Sequence, residues 1–281
     1  HNETKEESPS SIIEYGESEN SGIKTFIKSL SKIKSEKGKI RIAYFGDSAI
    51  EGDILIQDFR DLLQKEYNGR NVGFMPITSV VATFRQTILH TFSEDWTTYS
   101  LMKGTKVHKL GISGYVFSPK KTEADLTKFD VEKDVDNFGD SSWVQYKASE
   151  HYKTLEYFNS VSVYYSKVKS RSFVRFTIDG KEKIVKELEF GDDVKEIKIT
   201  PKETFKKVKI NFLTNDEISV YGANFDDSTG IYVDNFSFRG ISGNNLTKIK
   251  EEILKDCNKY LNYDLVILQY GLNISDKNTK S

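Results

Sequence analysis

The sequence predicts an α/β protein interrupted by a long β-rich insert, on three observations. A short apolar run, Ile40 to Phe45 (IRIAYF), is followed at once by Gly46-Asp47-Ser48 and then by helical spacing from Ile54 to Tyr67. Strand, tight turn, helix is the opening of an α/β sheet. From about Gly73 to Gly230 helical stripes give way to alternating β-type runs. The chain then returns to an amphipathic helix and a second buried-type strand.

The elements follow in order. His1 to Asn20 is polar and acid-rich and reads as a flexible leader, with His1 a possible tag remnant. Ser21 to Lys34 reads as a helix with Ile23, Phe26, Ile27, Leu30 and Ile33 on one face and Ser21 as a possible N-cap. Lys37-Gly38 breaks that pattern before the IRIAYF strand. The following helix carries Leu55, Phe59, Leu62 and Leu63 on one stripe. In the insert, Val161 to Tyr165, Ser172 to Ile178, Lys207 to Leu213 and Ile231 to Phe238 read as strands, and Asp179-Gly180 as a hairpin turn. Short strands at such spacing predict a separate β-sandwich. Asn245 to Tyr260 places Leu246, Ile249, Ile253, Leu254 and Cys257 on one side of a helix, and Asp264 to Gln269 (DLVILQ) reads as a buried strand. The expected division is a leader (1–20), a first α/β part (21–73), the insert (74–234) and a second α/β part (235–281). GISG occurs twice, at Gly111 and Gly240, which is coincidence rather than a repeat.

Composition narrows the function. The chain has 281 residues, 41 Lys plus Arg against 42 Asp plus Glu, 37% hydrophobic and 12% aromatic residues. That is a globular composition, and the charge balance argues against a nucleic-acid partner. No apolar run approaches the roughly 18 residues of a membrane span. One cysteine and four histidines exclude an internal disulfide and a multi-thiolate zinc site and leave little for a His-rich metal centre.

Three turns have chemical potential. Ser48 stands where a strand passes into a helix, so backbone N–H groups face a developing oxyanion. Gly243, in Ile241-Ser242-Gly243-Asn244-Asn245, can offer an N–H without obstruction. Asn273 follows DLVILQ-Tyr270-Gly271-Leu272, at the strand end where open α/β sheets bind ligands. Taken singly, each is also an ordinary turn residue or N-cap. Glu51 and Asp53 read as helix N-terminal acids rather than a carboxylate pair. Glu94-Asp95-Trp96 and Asp226-Asp227 are candidate calcium ligands without defined geometry. Arg85, His90 and Trp96 would line the crevice if the start of the insert folds back over it.

In this order, the GDS block at Asp47-Ser48, the ISGNN block and the GLN block resemble the SGNH hydrolase superfamily, also called GDSL-type esterases. The resemblance covers about Ile40 to Gly73 and Asn235 to Asn273. It implies a flavodoxin-like parallel sheet with helices, with Ser48 as nucleophile, Asp47 in support, and Gly243 (Gly240 as second choice) and Asn273 as oxyanion donors. It implies neither a metal nor an organic cofactor. The insert resembles the carbohydrate-binding-like module of some peptidoglycan O-acetylesterases, with Gly230 to Phe238 (GIYVDNFSF) as its closing strand and exposed aromatics that stack on sugars; in the bland alternative the aromatics fill the sandwich core. The implied activity is removal of O-acetyl groups from an acetylated glycan or peptidoglycan, in the periplasm or at the cell surface after loss of a signal peptide. The family's later DxxH block does not follow Asn273. The expectation is therefore a truncated α/β part whose remaining residues carry the Asp and His; His90, His108 and His151 are the substitutes within this chain. A non-catalytic glycan-binding protein and a polysaccharide O-acetyltransferase are the alternatives.

Overall fold

The computed structural model describes residues 21–36, 38–103, 108–139 and 142–273; the leader and the last eight residues lie outside them. In chain order the elements begin with α1 (Gly22–Glu36), β1 (Lys39–Gly46), a 3-10 turn (Ser48–Asp53) and α2 (Ile56–Tyr67). Eleven strands follow: β2 (Gly73–Met75), β3 (Ile88–Phe92), β4 (Thr97–Ser100), β5 (Tyr115–Ser118), β6 (Trp143–Ala148), β7 (Val161–Ser166), β8 (Ser172–Ile178), β9 (Glu182–Glu187), β10 (Lys195–Ile199), β11 (Lys207–Thr214) and β12 (Ser219–Phe225). The chain returns through β13 (Gly230–Ser237), α3 (Glu251–Leu261) and β14 (Leu265–Gln269).

β1 is the centre of a three-stranded parallel sheet, ordered β13-β1-β14, with Gly46 opposite Ser237 on one side and Gln269 on the other. The Gly230–Phe238 stretch is thus not the closing strand of the insert but a partner of β1, and Tyr232, Phe236 and Phe238 are buried rather than offered to a sugar. Its residues are buried on both faces, as parallel strands are, and that continuous burial reads the same way as a sandwich strand. β14 also departs from expectation. It alternates, with Leu265 and Ile267 packed toward α1 and α2 while Val266 and Leu268 are exposed, because it is the sheet's edge.

α1 starts as expected, the Ser21 Oγ accepting from the Lys24 N–H at 3.3 Å. α2 packs differently from its apolar stripe: Ile56, Arg60, Asp61 and Gln64 face inward, while Leu55, Phe59 and Leu62 are exposed. Specific hydrogen bonds decide the face. Arg60 donates from Nε to the Val233 carbonyl (2.9 Å), and Gln64 from Nε2 to the Asn71 carbonyl (2.9 Å). α3 buries Ile253, Cys257 and Leu261, with Leu254 half-buried, on its expected face.

The insert forms two antiparallel sheets, β10-β7-β12-β5-β4 with β2 on β12, and β3-β6-β11-β8-β9. They share one core; Val161, Val163 and Tyr165 of β7 meet Val174, Phe176, Val208 and Ile210 of the other sheet. Burying each such side chain contributes about 1.5–3 kcal/mol. The β8–β9 hairpin turns at Asp179-Gly180, both at positive φ (48° and 76°) as in a primed turn, with the Lys181 N–H donating to the Ile178 carbonyl at 2.9 Å and Ile178 paired with Glu182 across residues 179–181. The first sheet is covered on its second face too. Phe74, Val116, Tyr164 and Tyr221 pack there against Phe45, Phe236, Phe238, Ile253 and Cys257 of the α/β part. Every residue of β7 and β12 is therefore buried, and alternation is lost in these two strands.

The joint between the parts also holds a buried ionic network. Arg41, in the middle of β1, pairs with Asp226 and, at 2.7 Å, with Asp234, and donates to Asn224 Oδ1 (3.1 Å). Lys39 and Lys198 also reach Asp226, and the Tyr263 hydroxyl donates to Asp234 (2.6 Å). Burial opposes the Arg41 charge, but the two carboxylates outweigh it and hold the guanidinium above its ordinary range. Beside this joint the chain leaves and re-enters the α/β part at one point: Ile231 N–H donates to Asn68 O (2.9 Å), and a Cβ on Gly230 would lie 2.5 Å from Gly69 Cα. Only a glycine pair permits that approach.

Candidate active site

The parallel register brings the three candidate turns to one end of the sheet. Asp47 and Ser48 follow β1, Gly243 lies on the connection after β13, and Asn273 follows β14, all beyond the C-terminal ends of their strands. Ser48 is exposed and opens the 3-10 turn. Asp47 is buried and is the turn's N-cap, its Oδ1 accepting from the Ala49 N–H at 2.9 Å. Its other oxygen accepts from Asn273 Nδ2 at 3.1 Å, and the same Nδ2 donates to the Ile241 carbonyl at 3.2 Å. Asp47 and Asn273 are thus in direct contact, and both amide hydrogens of Asn273 are engaged.

Gly243 has φ of 92° and caps the 3-10 turn Asn244–Lys248. A Cβ there would meet the Tyr270 ring at 3.0 Å. Gly240 is exposed, and a Cβ on it would meet nothing within 4 Å. Tyr270 completes the group. Its hydroxyl is buried without a hydrogen-bond partner among the described residues, and burial, with Asp47 adding to it, pushes the phenol up to about 12. Arg239 bridges across to Glu51, Nε to Oε2 at 2.8 Å.

A cavity of about 210 Å³ opens beside the same turn. Glu51 and Gly52 form one wall, Asn235, Phe236 and Ser237 of β13 another, and the insert supplies the rest, chiefly residues 74–76, 78–82 and Arg85 with His90, Thr98, Ser113 and Tyr115. Ser48, Gly243 and Asn273 do not line it. Of the three residues expected to fold back, Arg85 and His90 do so, whereas Trp96 packs on Phe212 and donates to the Trp143 carbonyl (3.0 Å). Beneath the cavity Asp53 is fully buried. Arg60 holds both its oxygens (2.6 and 2.9 Å), Thr87 donates to it (2.7 Å), and Asn235 Nδ2 donates at 3.1 Å. Burial would raise the carboxyl, but Arg60 and Arg85 win and hold it well below the usual range. Glu51 and Asp53 therefore serve separate arginines and form no acid–base pair. Asp226 is likewise occupied by Arg41, Lys39 and Lys198, and Asp227 accepts from Asn159 (2.8 Å), which overturns the calcium alternative at that pair.

The substitute histidines are engaged elsewhere. His108 stacks on Tyr99 at 3.5 Å, and His151 packs edge-on against Tyr152. His90 is buried, stacked on Tyr146 at 4.8 Å, with Nε2 against the Ile77 carbonyl at 2.9 Å. Burial lowers it to about 4. An unfolded histidine protonates near ~6.5. Its stabilisation is therefore whole above that pH and lost progressively as pH falls toward about 4, on the order of 3 kcal/mol in all. Urea midpoints should accordingly fall between pH 7 and pH 4.5 in the wild type, and a His90→Phe variant, which keeps the ring stack, should lose most of that slope. An equal slope in both would show that His90 does not titrate in this way.

Several residues here were not visible in the sequence pattern. Arg60 sat opposite an apolar stripe, and Arg41 within a strand read as plainly buried. A charge inside such a run was the available signal, since it must find a buried partner.

No protein-family model matches this chain, and no curated protein matches it. A solved structure of a peptidoglycan O-acetylesterase is similar in fold, with a TM-score of 0.65 and 16% identity over 91% of this chain. The chain spans 63% of that structure's length. Two carbohydrate-binding modules, one from Clostridium stercorarium in complex with cellobiose and one of family 29, align over 50% and 56% of the chain at 10% identity. Their TM-scores, 0.27 and 0.28, are too low to establish a shared fold. By fold, then, this chain resembles an esterase of known structure, a parallel α/β sheet joined to antiparallel β-sheets.

Proposed function

We propose that this chain belongs to an SGNH-type serine esterase that removes O-acetyl groups from a glycan of the cell envelope, acting in the periplasm or at the cell surface. The observation that carries this reading is the convergence of Asp47-Ser48, Gly243 and Asn273 at one end of one parallel sheet. In the proposed reaction Ser48 Oγ attacks the acetyl carbonyl, passing its proton to a base. The negative charge gathers on the carbonyl oxygen, where the Ser48 and Gly243 N–H groups stabilise it. Asn273 joins them on releasing Asp47 or the Ile241 carbonyl. The sugar oxygen leaves with the proton, and water then hydrolyses the acetyl-serine by the same steps.

Among the described residues no histidine hydrogen-bonds Ser48. The reading therefore requires a general base that the described residues do not place at Ser48. A fluorophosphonate tests the reading: the native gene product should be labelled at Ser48 alone, and a Ser48 that stays unreactive would favour a glycan-binding protein instead.

A further inference from the structure

Between the two turns that carry Gly243 and Asn273 lies a side chain with no part in the proposed reaction, Tyr270. Its place follows from the sheet. Gln269, the last residue of β14, stands opposite Gly46, and Tyr44 donates to its Oε1 at 2.6 Å. The next residue of each strand, Tyr270 on one and Asp47 on the other, therefore leaves the sheet beside its neighbour. Gly271 then turns the chain at φ of 142°, a conformation that favours glycine. That turn brings Asn273 back onto Asp47 and the Ile241 carbonyl.

The Tyr270 ring meanwhile reaches the other donor. The three atoms nearest to a Cβ built on Gly243 are all carbons of that ring, Cδ2, Cγ and Cε2, at 3.0, 3.2 and 3.4 Å. Three adjacent ring carbons at such similar distances place the glycine over the flat of the ring, not against its edge. The Gly243 carbonyl is fixed separately, accepting from the Leu246 N–H at 2.9 Å. With that end held, the φ of 92° decides where the Gly243 N–H points. The ring is itself supported: half-buried, it packs on the cluster that contains Phe238, Ile241 and Ile249. Its hydroxyl has no hydrogen-bond partner among the described residues, and burial with the Asp47 charge keeps it protonated. Tyr270 is therefore no base for Ser48, and its contribution falls to the ring.

We propose that Tyr270 is a positioning residue, the face of its ring bracing the Gly243 turn so that the Gly243 N–H meets the oxyanion formed at Ser48. This role rests on the esterase reading, since it acts on the charge of that reaction. Such a brace is felt where the charge has formed, so it should govern kcat and spare KM.

Steady-state kinetics of the native gene product on an activated acetate ester test it. Tyr270→Phe, which keeps the ring and removes only an unpartnered hydroxyl, should stay within about twofold of wild type in kcat and KM. Tyr270→Leu, which keeps apolar bulk but no flat face, should lower kcat at least about tenfold with KM within about twofold. Gly243→Ala, whose methyl would press on the ring, should do the same. The double variant should be no slower than the slower single one, because both changes act through one turn. In proton NMR the ring current should move a Gly243 Hα upfield in the wild type and in Tyr270→Phe, but not in Tyr270→Leu. An unshifted Gly243 Hα in the wild type overturns the role, as do full kcat in a folded Tyr270→Leu protein, losses that multiply in the double variant, or a large loss in Tyr270→Phe. Should Tyr270→Leu not fold, the Phe variant and Gly243→Ala decide, a large loss in the first or full kcat in the second overturning the role. Turnover that survives Ser48→Ala overturns the esterase reading itself; turnover abolished there but intact in Tyr270→Leu overturns the positioning role alone.

Discussion

Ser48→Ala in the native gene product is expected to lower kcat for an activated acetate ester by at least about a thousandfold, with the circular dichroism spectrum and urea midpoint unchanged. The two halves of that expectation come from different features. Ser48 is exposed, and its hydroxyl makes no hydrogen bond among the described residues, so its loss opens no cavity and strands no buried group. The turn itself is held by Asp47 and the Ala49 N–H, which the substitution leaves in place. Catalysis by contrast loses the atom that forms the acyl bond, and intact oxyanion donors cannot replace it. A variant that keeps most of the wild-type rate would sink the assignment of Ser48 as nucleophile.

Arg41→Met should have the largest effect on stability, a loss of about 3–5 kcal/mol. Methionine fills much of the same volume but leaves Asp226 and Asp234 buried in a network that has lost its central cation. A domain's whole stability is about 5–15 kcal/mol, so the variant should lose a large share of it and melt well below the wild type. Its pH dependence tests the cause. In the wild type, burial tends to raise the Asp226 carboxyl, but Arg41 and Lys39 together hold it below the ordinary range. It therefore contributes stability that is present above about pH 4 and is lost as pH falls through its lowered value. Without Arg41, burial gains the upper hand and the protonated form is favoured. The gap between variant and wild type should then narrow on going from pH 7 to pH 4. A gap independent of pH would mean that packing, not charge, is what Arg41 supplies.

The strands of the insert were legible because their pattern is local: β7, β8 and β11 occur where alternation and the Asp179-Gly180 turn put them. So was the common location of Ser48, Gly243 and Asn273, since a parallel strand carries its following turn to one end of the sheet. What was not legible depends on distant partners. β13 is covered on both faces, so nothing in its composition distinguishes a neighbour of β1 from a strand of the sandwich. The buried face of α2 was misread because periodicity counts Arg60 as a solvent residue, whereas Asp53 and the Val233 carbonyl give it a place inside. Asp226 and Asp234 are likewise remote in sequence from Arg41, and no spacing rule links them.

The side-by-side crossing at Asn68-Gly69 and Gly230-Ile231 has a mechanical consequence. A pull applied between α1 and β14 falls first on the direct pairing of β1 with β14, and the 69–230 segment hangs beside that line as a loop held together at its neck rather than lying along it. Under load the parallel sheet must part first, and only afterwards does tension reach the two antiparallel sheets. The β-rich body is thereby shielded from force at the chain's ends, even though it supplies walls of the cavity beside Ser48.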